Sequence, residues 1–177
     1  IYIYNVKTAE TTVIDMKGGY DTDPVWSPDG SRLAWIRLVR DGYEADKQRL
    51  MVAYADWSEV SGNGKGMPSF WGITDVTESF KYNASGPVWS ENSEEIYFAA
   101  LAEGIQGIFV AEGPSTEAVE GLRKAAVAKK LAPWEIERLT ADGLWYDFGS
   151  PFHVAEAEDG SKTLYTTWCS MDFPTEL

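Results

Sequence analysis

One cysteine, Cys169, and one histidine, His153, are all that the 177 residues hold of either type. A single cysteine excludes a disulfide within the chain and any zinc site built on several thiolates. Basic residues are scarce as well, with 15 Lys and Arg against 28 Asp and Glu, which leaves a formal charge of −13. Nucleic acid and anionic lipid are therefore not expected as partners, because both demand a cationic footprint. No stretch approaches the roughly 18 uninterrupted apolar residues of a membrane helix. The chain begins at Ile1 with no charged segment and apolar core behind it, so any signal peptide is expected upstream. Aromatic residues, by contrast, are abundant: eight Trp, nine Tyr and seven Phe, set among 16 Gly and eight Pro. That mixture favours an all-β protein of many short strands over a helical bundle.

Internal similarity organises the chain. Pro24-Val25-Trp26-Ser27-Pro28-Asp29-Gly30-Ser31-Arg32-Leu33-Ala34-Trp35 aligns without a gap to Pro87-Val88-Trp89-Ser90-Glu91-Asn92-Ser93-Glu94-Glu95-Ile96-Tyr97-Phe98, 63 residues later. A weaker copy starts at Pro151-Phe152, needs extra residues, and turns through Asp159-Gly160-Ser161 into Lys162-Thr163-Leu164-Tyr165. A short apolar run, a tight Asp-Gly or Asn-Ser turn and an alternating return describe a β-hairpin. Two more strand candidates follow each full hairpin, at residues 49–55 and 70–76, then 107–112 and 134–139. Four strands per period is the repeat of a β-propeller blade.

Tyr20-Asp21, Tyr82-Asn83 and Tyr146-Asp147 precede the repeat prolines and mark crossings from one blade to the next. Residues 1–16 read as the outer two strands of an upstream blade, 20–79 and 82–141 as blades, and 146–177 as the inner part of a further blade. Residues 116–131 interrupt the pattern with Val119, Leu122, Ala126 and Val127 at helical spacing. Glu117 early and Lys129-Lys130 late suit a helix dipole, so a short helical insertion covering part of a sheet edge is expected. The repeated Trp26 and Trp89 are expected at equivalent interfaces between blades rather than as exposed stacking platforms.

At these residues the chain resembles the propeller of the prolyl oligopeptidase (S9) serine peptidases, in the dipeptidyl-peptidase V and acylaminoacyl-peptidase branch. The Trp-Ser-Pro-Asp-Gly hairpin is shared with TolB-like and other WD40-like propellers. Trp35-Ile36-Arg37-Leu38 running into residues 40–47, and the ending Ser170-Met171-Asp172-Phe173-Pro174-Thr175-Glu176-Leu177, narrow the resemblance to that branch. The resemblance implies a non-catalytic domain that gates access to a serine exopeptidase and helps recognise the peptide's amino end. It further implies an α/β-hydrolase domain beyond Leu177, a peptide substrate, no cofactor and a periplasmic or secreted setting. The alternative is a TolB-like periplasmic interaction propeller without enzyme activity.

Catalytic chemistry is missing from the residues themselves. No Gly-x-Ser-x-Gly elbow occurs, so no catalytic residue is expected in this chain, and His153 has no elbow serine to serve. Gly62-Asn63-Gly64-Lys65-Gly66 lacks the ending of a phosphate loop and reads as an outer turn. The acidic groups Glu91, Glu94, Glu95 and Glu156, Glu158, Asp159 lack calcium-loop spacing, and no metal is expected. Asn83-Ala84-Ser85 has the form of a glycosylation acceptor, a triplet common by chance.

The remaining candidate is the loop at residues 40–47, expected to share a rim with Tyr20, Tyr82 and Tyr146. A peptide's ammonium group needs a carboxylate to accept charge-assisted hydrogen bonds. Glu44 and Asp46 are the candidates, with Tyr43 as a neighbouring wall. The competing expectation is that Arg40, Asp41, Glu44 and Lys47 pair with one another on a solvated loop.

Overall fold

The computed structural model describes residues 1–58, 66–124, 133–141, 147–148 and 152–169. They form an all-β structure with two four-stranded antiparallel sheets and one short helix. The first sheet joins β3 (Tyr20–Trp26), β4 (Arg32–Leu38), β5 (Arg49–Asp56) and β6 (Ser69–Asp75) in chain order. The second joins β7 (Ser85–Trp89), β8 (Glu95–Ala102), β9 (Ile105–Glu112) and β10 (Glu135–Arg138) in the same way. A hairpin of β1 (Tyr2–Tyr4) and β2 (Thr11–Val13) flanks the first sheet. β11 (Asp147–Phe148), β12 (His153–Glu156), β13 (Lys162–Tyr165) and β14 (Trp168–Cys169) make the last unit, pairing β12 with β13 and β11 with β14.

The repeated turns explain why the hairpins form where they do. Ser27 Oγ donates to Arg32 O and accepts from Arg32 N, while Gly30 N returns to Ser27 O. In the second sheet Ser90 Oγ makes the same pair of bonds to Glu95, and Ser93 N returns to Ser90 O. Both turns need one residue with φ near +65°: Gly30 supplies it at 69° without strain, and Ser93 adopts it at 65°. Ser93 has a compensating contact, because its Oγ accepts Asp29 N of the first sheet at 3.1 Å. The third turn carries Ala157 at the serine position and closes one residue sooner, with Ala157 N on Ser161 O.

A second irregularity recurs at the same 63-residue offset. The pairing register slips between Thr22 and Val25, and again between Ser85 and Val88. Asp23 and Gly86 hold positive φ at these two bulges, at 52° and 57°.

Alternation then decides which face each side chain buries. Ala34, Ile36, Leu50 and Val52 of the first sheet meet Trp89, Ile96 and Phe98 of the second in one core. Leu33, Trp35, Met51 and Ala53 point the other way and are covered by Ile1 and Ile3 of the first hairpin. Tyr97, Ala99, Ile108 and Val110 form the far face of the second sheet, covered by Phe152, Val154 and Leu164. Trp26 and Trp89 do occupy corresponding places: Trp26 packs on Phe70 at 5.9 Å and Trp89 on Trp134 at 6.2 Å, each facing the preceding unit.

The helix α1 (Thr116–Lys124) lies within the expected insertion, whose remaining residues, 125–131, fall outside the described ones. Ser115 caps it through Ala118 N, Val119 enters the central core, and Arg123 reaches Asp56 of the first sheet at 3.0 Å. The four units stand in a row, with β3 against β7 and β7 against β12. Among the described residues no strand of the first hairpin pairs with the last unit, so the row is not closed into a ring.

Candidate functional site

Residues 39–48 join β4 to β5 and are bonded to the crossings on both sides. Asp46 folds back on its own loop: Oδ2 accepts Val39 N and Arg40 N at 3.0 Å each, and Oδ1 accepts Arg40 Nη2 at 3.0 Å. The Arg40 guanidinium, aided by these backbone donors, holds the Asp46 carboxyl down to about 2. Arg40 also lies over the Tyr43 ring, 4.0 Å from its centre, so one cation joins the two candidate residues.

Both neighbouring crossings are tied to the loop. Upstream, Gly19 N donates to Asp41 Oδ1 at 2.6 Å. Gly19 is required there: its φ is +79°, and a Cβ would stand 2.3 Å from Leu38 O. Downstream, Lys47 Nζ donates to Thr77 O at 2.6 Å and to Phe80 O, and Gln48 N donates to Asn83 Oδ1 at 3.0 Å. Burial pushes the Lys47 ammonium below its ordinary range, and the Asp75 carboxylate opposes that shift.

Between the loop and the upstream crossing opens a cleft of about 420 Å³, lined by Tyr20, Leu38, Arg40, Gly42, Tyr43, Glu44 and Gln48. Tyr20 and Tyr43, 65% and 47% exposed, line it together with buried Leu38. Glu44 is exposed and has no hydrogen-bonded or ionic partner among the described residues. The structure therefore brings Tyr43 and Glu44 into one cleft with Tyr20, while Asp46 lies behind them with its oxygens engaged. The pairing expected on a solvated loop is present in part, for Arg40 and Asp46 form an ion pair while Lys47 spends its protons on backbone carbonyls. Tyr82 and Asn83 stand beside Gln48 on the same side, and Tyr146 lies outside the described residues.

Leu38 and Gln48 are lining residues that sequence reasoning missed. The Gly18-Gly19 pair before Tyr20 was the available signal for the upstream tie. His153 lies exposed on β12, across from Tyr165, away from this cleft. Glu94 accepts Thr116 N, and Glu95 accepts the Tyr97 hydroxyl and pairs with Lys162, so these acidic residues join neighbouring segments. Gly62, Asn63, Gly64 and Lys65 lie outside the described residues.

No protein-family profile matches the chain. Among curated proteins it is 40% identical over 104 residues to dipeptidyl-peptidase 5 of Porphyromonas gingivalis, an alignment covering 58% of this chain and 13% of that protein. Dipeptidyl-peptidase 5 of Porphyromonas endodontalis is 45% identical over 53 residues, covering 29% of this chain and 8% of the relative. An uncharacterized peptidase, YuxL of Bacillus subtilis, is 28% identical over 192 aligned residues, covering 92% of this chain and 26% of its own length. Along nearly its whole length the chain is thus related to a part, at most about a quarter, of larger proteins described as peptidases.

Proposed function

We propose that this chain is a non-catalytic β-propeller segment of a serine exopeptidase of the dipeptidyl or acylaminoacyl type. In this reading it gates access to a catalytic α/β-hydrolase domain and helps hold the peptide's amino end, in a periplasmic or secreted setting. The similarity to dipeptidyl-peptidase 5 carries the reading, and repeated four-stranded sheets without a nucleophile elbow agree with an accessory role. Glu44 is the group that accepts the substrate ammonium, since its carboxylate is open to the cleft while Asp46 is already satisfied. Tyr20 and Tyr43 wall the peptide's first residues.

Two measurements test this. The coding sequence beyond Leu177 should encode Gly-x-Ser-x-Gly with a later Asp and His; a stop codon or further repeats alone would refute it. In the polypeptide carrying that domain, Glu44→Gln should lower kcat/KM about ten- to a hundred-fold for a dipeptidyl substrate with a free amine and leave its N-acetylated analogue unchanged. Equal effects on both substrates would remove Glu44 from recognition.

A further inference from the structure

The cleft has an ordered floor as well as a loop above it. Tyr20 of β3 pairs with Leu38 of β4, and the β4–β5 register Arg37↔Arg49, carried one step further, sets Leu38 opposite Gln48. Residues opposed across an antiparallel ladder share a face, so Tyr20, Leu38 and Gln48 form one row across the end of three neighbouring strands. All three line the cleft. Two strand spacings separate the ends of this row, about 10 Å, whereas an extended dipeptide unit is about 7 Å long.

Gln48 is the fixed polar end of the row. Its N donates to Asn83 Oδ1 and its O accepts Ala84 N, at 3.0 Å each, so its backbone is clamped to the downstream crossing just before β5 begins. The neighbouring Lys47 is held to the same crossing through Thr77 O and Phe80 O. The Gln48 side chain, by contrast, has no hydrogen-bond partner among the described residues, and the residue is half-buried. A clamped backbone that carries an unspent amide into a cleft costs little further ordering when a ligand arrives.

The polar groups of the cleft differ in what they can do. The Glu44 carboxylate only accepts hydrogen bonds. Arg40 only donates, and it already gives Nη2 to Asp46 and lies over the Tyr43 ring. Gln48 presents a donor and an acceptor side by side on one planar group, the pattern that pairs with both the C=O and the N–H of a peptide link. The amino end of a peptide offers an ammonium group that donates, followed by a link that accepts and donates. Glu44 and Gln48 supply the two complements.

We propose that Gln48 is a specificity-determining residue of this cleft: its side-chain amide pairs with the first peptide link of a bound peptide while Glu44 takes the ammonium. The ligand class is thereby narrowed to peptides whose first link carries an N–H. The proposal rests on the reading of the cleft as the seat of the peptide's amino end.

Calorimetric titration of the polypeptide carrying the catalytic domain tests it, with the elbow serine changed to alanine so that no ligand is consumed. The ligands are alanyl-alaninamide and the analogue in which an ester oxygen replaces the N–H of its internal link. The ester has no proton to give there and a poorer carbonyl acceptor. The parent should bind the amide about ten-fold more tightly than the ester, as two modest hydrogen bonds allow. Gln48→Met keeps the length of the side chain; it should weaken the amide about ten-fold, leave the ester within about two-fold, and so erase the preference. Glu44→Gln should weaken both ligands and leave the preference in place. If Glu44→Gln alters neither ligand while Gln48→Met erases the preference, the ammonium assignment falls and Gln48 stands. A preference that survives Gln48→Met, or equal weakening of both ligands, as a general loss of structure would also give, overturns the proposal. A parent that binds neither ligand overturns it together with the reading on which it rests.

Discussion

The face shared by the two complete sheets and the faces turned toward the end units are built from the same repeat, yet they bury unequally. Trp89 stands between two four-stranded sheets, is buried, and donates its indole N–H to Val25 O across the interface at 3.1 Å. Trp26, its counterpart, faces a two-stranded hairpin and remains only half-buried. Equal residues at equal registers thus acquire unequal worth from what stands opposite, because the stabilisation follows the area removed from water. Truncation separates the two. Trp89→Ala should cost about 3–5 kcal/mol and Trp26→Ala less than half of that, read as the shift in urea unfolding midpoint. Equal losses would break the comparison.

Two buried arginines sharpen it. Arg37, on the flank, engages both terminal nitrogens: Nη1 holds both Asp21 oxygens at 2.8 Å, and Nη2 donates to Met16 O and Gly18 O. Arg32, at the central interface, donates Nη2 to Pro114 O and Thr116 Oγ1, but its Nε and Nη1 are buried without partners beside the Tyr54 ring. Burial pushes the Arg32 guanidinium below its usual range, opposed by Tyr54, Asp29 and Glu94. Removing a well-paired group strands its partners, whereas removing a poorly satisfied charge relieves a desolvation cost. Arg37→Met should therefore destabilise by about 3 kcal/mol, and Arg32→Met should fall within about 1 kcal/mol of the parent or above it. Denaturant titration of both variants decides whether the central interface tolerates the loss better than the flank.

The turns give a smaller contrast. Ser27→Ala and Ser90→Ala each remove a buried hydroxyl that clips two backbone groups, and each should cost about 1–3 kcal/mol in thermal or chemical unfolding. Ala157→Ser should change stability by less than about 0.5 kcal/mol, because its shorter turn offers no carbonyl and amide at the spacing the hydroxyl spans. A gain matching the loss at Ser90 would show the third turn to be the same device.

The smallest effect concerns the candidate loop. Hydrogen bonds from Arg40 and the loop amides hold the Asp46 carboxyl down to about 2, below the usual aspartate range. A depressed folded value means that its contribution is complete above about pH 4 and is lost as pH falls through 2. Asp46→Asn should abolish this acid-sensitive step in the local signal of Tyr43 while leaving the loop's behaviour above pH 5 less ordered. A step that survives the substitution would assign it to another carboxylate.

Legibility from sequence differed between these regions for a physical reason. Strand positions and hairpin turns were readable because alternation and the Ser-x-Asp/Asn turn chemistry are local, and the structure places β4, β5, β8 and β9 within a few residues of expectation. The helix was readable through its spacing, and the described part of it ends at Lys124. In the candidate site, the loop and the residue types Tyr43 and Glu44 were visible, but the inward turn of Asp46 was not. That turn depends on amide directions at Val39 and Arg40 that no spacing encodes.

By itself, the sequence determined the period, the order of strands within each period and the absence of a nucleophile elbow, all of which are properties of neighbours along the chain. Only the tertiary structure decided which acidic residue faces solvent, which arginine is satisfied, and that Gly19, Asp41, Lys47 and Asn83 tie one loop to two crossings. The ties of the loop join residues 22 to 35 positions apart, where the geometry of packed sheets, rather than local propensity, selects the partner.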